Sequence, residues 1–259
     1  MASITRASQA TGVDFSYLVK TAQRESSLNP KAKAPTSSAA GLFQFIEQTW
    51  LATVKSHGAK HGYGAYASQI VKGEGGRYYV PDARARQQVL GLRYDPDAAS
   101  VMAAELTAGH AAYLKGRTGR QPNAGELYAA HFLGPAGAAN LIKATQTSPN
   151  ASAAALFPQA AGANRSIFYK NGQPVTVTAL MTNLSSKAGG QVNIAPVAPQ
   201  MTNPYEGMFL TRLEGVQSDA MLLNLAFGNG SGEQSLLFAT QLMAAFGPEK
   251  EESQKGGFV

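Results

Sequence analysis

The chain has 259 residues, 44% hydrophobic and 15% charged, which excludes a disordered polymer and suffices for one large domain or for a smaller domain with an appendage. No apolar run approaches the roughly 18 residues that a spanning helix needs, so no transmembrane segment is expected. The absence of cysteine removes disulfides, thiolate metal sites and cysteine nucleophiles together.

The net charge of +6 is unevenly spread. Residues 191–259 hold three basic side chains (Arg212, Lys250, Lys255) against seven acidic ones, a net of −4 that leaves +10 for residues 1–190. A basic body attracts polyanions in general, whether nucleic acid, anionic lipid or acidic wall polymers. No nucleic-acid-binding motif accompanies it, so nucleic acid is not expected as a partner.

Residues 4–11 read as a short opening helix ended by Gly12. Asp14 then caps a segment in which Phe15, Leu18, Val19 and Ala22 recur at helical spacing. The same spacing reaches Glu25, which therefore falls on or beside the apolar stripe, and Asn29-Pro30 stops the helix soon after. Apolar surroundings and the negative end of a helix both suit a carboxyl that keeps its proton, and such a carboxyl can serve as a general acid. A helix-terminal glutamate in water is the plainer reading of Glu25 taken alone.

Residues 31–40 are a loop by composition, and Gly41-Leu42-Phe43-Gln44-Phe45 opens a second helix with Phe45, Ile46, Trp50, Leu51 and Val54 inward. Trp50 reads as core. Residues 57–80 form a loop rich in Gly, Tyr and His; His57 and His61 have the spacing of a zinc pair, but Gly58 interrupts the helix that such a pair needs, and no metal is expected. Residues 82–93 read as a helix whose Arg84, Arg86 and Arg93 make a solvated basic face. Asp95-Pro96-Asp97 opens a long scaffold helix over about residues 97–115.

Asn123-Ala124-Gly125-Glu126 has the form of a capping box and starts a helix that breaks at Gly134-Pro135 and resumes to Ala144. Tyr128 and His131 share a face of it. Short helical turns follow over residues 148–166, then an Asn171-Gly172 turn that gives the one clear strand signal, then a helix to about residue 187. Ala195 to Pro199 reads as a linker, with amphipathic stretches at residues 205–227 and 232–246 and a charged tail.

The combination Glu25-Ser26-x-x-Asn29-Pro30, Gly41-Leu42-x-Gln44 and Ala130-His131-Phe132-Leu133-Gly134-Pro135 resembles the lytic transglycosylase domain of the soluble type, related to goose-type lysozymes. The resemblance covers residues 14–146. It departs from the family pattern in a first loop one residue longer, and in His131 and Phe132 where Tyr and Asn usually stand. It implies a mainly α, lysozyme-like domain over residues 1–190, followed by a linker and a C-terminal helical or partly disordered segment over residues 191–259. It further implies a cofactor-free enzyme that cleaves peptidoglycan at the β-1,4 bond between N-acetylmuramic acid and N-acetylglucosamine, forming 1,6-anhydromuramyl ends.

In this reading Glu25 is the single acid and base. Ser26, Phe43 and Gln44 contact or orient the glycan, and either Tyr128 or His131 takes the place of the family tyrosine, with Tyr128 slightly preferred. Glu47 and Asp95 are the candidates for a second carboxylate. Hydrolysis at the same site, and a non-catalytic wall-binding or assembly module, are the alternatives. Activity in the periplasm or cell wall is implied, reached after removal of a leader, by specialised export or on a virion, because Met1 to Gln9 lack the apolar stretch of a secretory signal. Residues 205–246 are the expected contact for a secretion, flagellar or phage partner.

Overall fold

The structure, a computed structural model, describes residues 1–35 and 37–188. The linker and the two amphipathic stretches expected beyond residue 190 lie outside the described residues.

Helix α1 (Ala2–Thr11) ends at Gly12, whose φ of 74° is left-handed. Helix α2 (Phe15–Ser26) starts where the Asp14 carboxylate accepts from the Tyr17 amide at 2.8 Å. Helix α3 spans Glu47–His57 and α4 spans Gly64–Ser68. The second helix expected from residue 41 thus begins six residues later, because residues 41–44 form a tight turn. A small hairpin follows, β1 (Val71–Lys72) against β2 (Tyr78–Tyr79), with Val71 opposite Tyr79. Its strands are two residues long and hidden in a Gly-rich stretch, which is why the sequence reads as loop.

Helix α5 (Ala83–Gly91) precedes the scaffold helix α6 (Pro96–Thr118), which Asp95 caps through the amides of Asp97 and Ala98. Buried Ala98, Ala99, Ala103 and Ala104 keep α6 narrow, and α1 packs along it. Helix α7 (Ala124–Thr147) opens with the expected capping box and is broken at Gly134, where φ 73° and ψ 163° suit glycine almost alone. Short helices α8 (Ala153–Leu156), α9 (Pro158–Ala163) and α10 (Arg165–Phe168) lead to strands β3 (Tyr169–Lys170) and β4 (Gln173–Pro174), turned through Asn171 and Gly172. Helix α11 (Val177–Ala188) then returns along α7, with which it forms the most extensive helix packing of the described residues. A Cβ on Gly125 would fall on Ser185, so glycine sets how closely the two helices approach.

The interior forms two main apolar clusters. One gathers Ile4, Leu18, Trp50, Leu51, Val89 and Met102; Trp50 is fully enclosed and its Nε1 donates to the Val89 carbonyl at 2.8 Å. The other gathers Leu114, Phe132, Leu141, Phe168, Leu180 and Leu184. Each such side chain contributes about 1.5–3 kcal/mol by leaving water.

The His57–His61 segment is fastened to α6 through a buried carboxylate. Glu105, 5% exposed, accepts from Lys60 Nζ at 2.8 Å, lies 2.5 Å from His61 Nε2, and presents its other oxygen 3.3 Å from His57 Nδ1. Burial would push this carboxyl up, but the hydrogen bonds from Lys60 and His61 and the charge of His57 outweigh it and hold it below its ordinary range. Its stabilising contribution is therefore full above the unfolded carboxyl value of about 4.3 and is lost as the pH falls through the lower folded value. Glu105→Gln is expected to cost about 1–3 kcal/mol at neutral pH and to flatten the acid side of a melting-temperature profile. An unchanged acid side would show that the cluster does not hold the segment.

Candidate active site

Glu25 lies in the last turn of α2, its side chain 5% exposed. The helix ends through Ser27 and Leu28, both left-handed at φ 52° and 63°. Their amides return to the Gln23 and Ala22 carbonyls. This closure turns the chain sharply away, so the carboxylate is left at the end of the helix rather than along its flank.

The neighbouring Ser26 fixes what faces Glu25. Its hydroxyl lies 2.7 Å from the Leu42 carbonyl and 3.2 Å from that of Ala22, and with one proton to give it favours the nearer acceptor. Leu42 belongs to the turn that begins at Gly41. There Gln44, at φ 48° and 8% exposed, donates its amide to the carbonyls of Gly41 (2.8 Å) and Ala32 (3.2 Å). The side-chain nitrogen expected to face the glycan is thus engaged inside the turn that presents Phe43.

Arg93 supports this turn from beneath. The expected solvated basic face is corrected here: Arg93 is 8% exposed, and its Nη1 donates to the carbonyls of Ser38 (2.5 Å) and Phe45 (3.1 Å). A non-helical loop pressed onto the core leaves carbonyls without donors, and a forked cation supplies several at once. Gly41, at φ 79°, sits so close that a Cβ would overlap the Arg93 carbonyl.

Across from Glu25 stands α7. His131 Nε2 is 3.5 Å from Glu25 Oε1, and the imidazole stacks on Tyr128 with ring centres 6.1 Å apart. Tyr128 is 1% exposed, and burial raises its phenol well above the ordinary value, so it stays neutral. It supports His131 and Arg24 from behind, the Arg24 guanidinium lying 4.3 Å from its ring centre. The histidine therefore occupies the place beside the carboxylate for which the sequence slightly favoured Tyr128.

Between α2, the turn, α3 and α6 lies a hollow walled by Thr21, Phe43, Ile46, Leu106, His110 and His131. Tyr17 also borders it, its phenol pushed up to about 12, chiefly by burial. The two other candidate carboxylates have structural tasks. Glu47 binds Arg86 at 2.6 Å and Asp95 caps α6.

Residues 2–66 match the family model of the transglycosylase SLT domain. The match spans about a quarter of the chain. Members of the SLT family are lytic transglycosylases acting on peptidoglycan, and the match supports a peptidoglycan-directed function of that general kind. Among the described residues no helix is long and apolar enough to cross a membrane. The SLT match covers Glu25, Ser26 and the Gly41 turn but stops before α6 and α7, so the wall formed by Tyr128 and His131 rests on the structure.

Two residues of the candidate site escaped sequence reasoning. Arg93 looked like one of three surface arginines, and Arg24 carried no motif although it adjoins Glu25; both are recruited by contacts distant in sequence. Gly41→Ala is expected to lose about 2–5 kcal/mol, combining left-handed strain with overlap against a backbone that cannot yield. A thermal melt within a degree or two of wild type would refute the packing of this turn on Arg93.

Proposed function

We propose that the chain cleaves the β-1,4 bond between N-acetylmuramic acid and N-acetylglucosamine with Glu25 as the single acid and base. The observation that carries this reading is the setting of the Glu25 carboxyl. It is nearly enclosed, tied through Ser26 to the Gly41 turn and, among the described residues, faced by His131 rather than by a second carboxylate. Glycosidases that lack a second carboxylate use a group of the substrate in its place.

In the first step Glu25 protonates the glycosidic oxygen as the bond to the muramyl C1 breaks, and the 2-acetamido oxygen of the same sugar stabilises the electron-poor carbon. In the second, Glu25 takes the proton of the muramyl C6 hydroxyl, whose oxygen attacks C1 and closes the 1,6-anhydro ring. The carboxyl ends as it began, and no water is consumed. Phe43 presents an apolar wall to the sugar, Ser26 and Gln44 hold the turn that carries it, and His131, backed by Tyr128, orients the carboxyl. Neither step uses a metal or cofactor.

Glu25→Gln keeps the shape of the side chain and removes the transferable proton. It is expected to lower cleavage of purified peptidoglycan at least about a hundredfold while the melting temperature and sedimentation with the wall change little. Undiminished cleavage would sink the assignment. Mass spectrometry of the wild-type products separates anhydromuramyl ends from the reducing ends that hydrolysis would leave.

The catalytic unit is proposed to end near residue 190. Residues 1–188 hold two main apolar clusters of large side chains, and a chain ending at residue 190 is expected to melt cooperatively and to cut glycan at a rate comparable to the full chain. Failure to fold would place part of the core beyond that boundary.

A further inference from the structure

Arg24 makes contacts that the family match does not account for. It adjoins Glu25 in the last turn of α2, with 23% of its side chain exposed. Its Nε donates to Glu25 Oε1 at 3.3 Å, its Nη1 donates to the Lys187 carbonyl at 3.3 Å, and its guanidinium lies over Tyr128. Three helices therefore meet on one cation: α2 through Glu25, α11 through Lys187 and α7 through Tyr128.

The contact with α11 has a clear physical basis. The Lys187 carbonyl lies in the last described turn of α11 and accepts from Arg24 Nη1 at 3.3 Å. That bond gives the guanidinium a directional anchor on α11. Stacking on Tyr128 fixes the plane of the guanidinium, so the direction of its Nε is set by two neighbours besides Glu25.

Both contacts recorded for the Glu25 carboxyl reach the same oxygen. Arg24 Nε and His131 Nε2 each approach Oε1, and among the described residues neither engages Oε2. A carboxyl that gives up a proton and takes one back works best when one oxygen is held and the other points in a constant direction. We infer that Arg24 is a positioning residue that pins Oε1 and leaves Oε2 to carry the proton, and that α11 holds Arg24 in place for this task. The inference rests on the assignment of Glu25 proposed above. It makes α11, far beyond the matched residues 2–66, part of the catalytic apparatus, and Gly125 controls its seat.

The test measures kcat and KM on purified glycan strands, per folded molecule, for Arg24→Met, Arg24→Lys, Gly125→Ala, the pair Arg24→Met with Gly125→Ala, and Glu25→Gln. Misplacing a reacting group costs rate rather than affinity, so Arg24→Met is expected to lower kcat about 10- to 100-fold and to move KM less than about threefold. Arg24→Lys should recover only part of the loss, because an ammonium lacks the fork that reaches two acceptors at once. Gly125→Ala, which pushes α11 from α7, should lower kcat in the wild type yet add nothing to Arg24→Met, since both act through one contact.

Full kcat in Arg24→Met, or losses that multiply in the double variant, would overturn the inference. Should Gly125→Ala fail to fold, the Met and Lys variants decide alone. An inactive Glu25→Gln beside a fully active Arg24→Met removes only the role of Arg24. An active Glu25→Gln removes both this role and the assignment of the acid.

Discussion

The arrangement depends on the hydrogen bond from Ser26 to the Leu42 carbonyl, 2.7 Å long. It joins the end of the helix that carries Glu25 to the turn that carries Phe43, two pieces of chain separated by an irregular loop. Neither would hold its place alone. The helix ends through two left-handed residues that are not glycine, each costing about 1 kcal/mol or more. The turn contains a third such residue, Gln44. Strain of this kind persists only where the surroundings determine the backbone, and here Leu28 packs on the first core cluster while Arg93 and Gln44 satisfy the carbonyls of the turn.

Charge is buried in this protein where the chain is irregular. Arg93 lies beneath the 38–45 loop, Glu105 beneath the segment from His57 to His61, and Glu126 at the start of α7, where it binds Arg120 at 2.5 Å and the Asn123 amide at 2.9 Å. Regular helices satisfy their own polar groups and can be held by alanine and leucine alone. Loops next to the core cannot, because their amides and carbonyls need partners that water no longer supplies. Each buried charge offers several donors or acceptors at one point, which offsets its own desolvation only because so many of them are used.

What the sequence revealed follows from this division. Helical spacing located α2, Asp95 and Asn123 announced their helices as caps, and Gly134-Pro135 announced the break in α7, because each signal is local. The Asn171-Gly172 turn was legible for the same reason. The burial of Arg93 was not, since a helix carrying Arg84, Arg86 and Arg93 looks equally solvated at all three until the carbonyls of Ser38 and Phe45 arrive from elsewhere. Nor was the partner of His57 and His61, because Glu105 is supplied by α6, 44 residues beyond His61. Within the candidate site, spacing put Glu25 at the end of α2 on or beside the apolar stripe, and it was the motif resemblance that joined it to the Gly41 segment. The order of Tyr128 and His131 could not be read from spacing, because two residues three apart on one helix face differ only in which is nearer the neighbouring helix.

The site lies on the seam between the two apolar clusters. Leu18 and Ala22, which seat α2, belong to the first, whereas Tyr128 and Phe132, which seat the wall bearing His131, belong to the second. Shifts within one cluster leave its own groups in register, but a small rotation of one cluster against the other changes the 3.5 Å separation of Glu25 and His131 directly. α6 contributes to both clusters, with Met102 in the first and Leu114 in the second, and so acts as a rigid spine across the seam. Arg24 bridges the same seam by a polar route, taking Glu25 on one side and Tyr128 and the Lys187 carbonyl on the other. Apolar packing along α6 fixes the distance between the halves, and directional hydrogen bonds at Arg24 fix the angle at which the carboxyl meets its wall. Packing forces alone are too undirected for the second task, so a cation with a planar fork stands where the two halves meet.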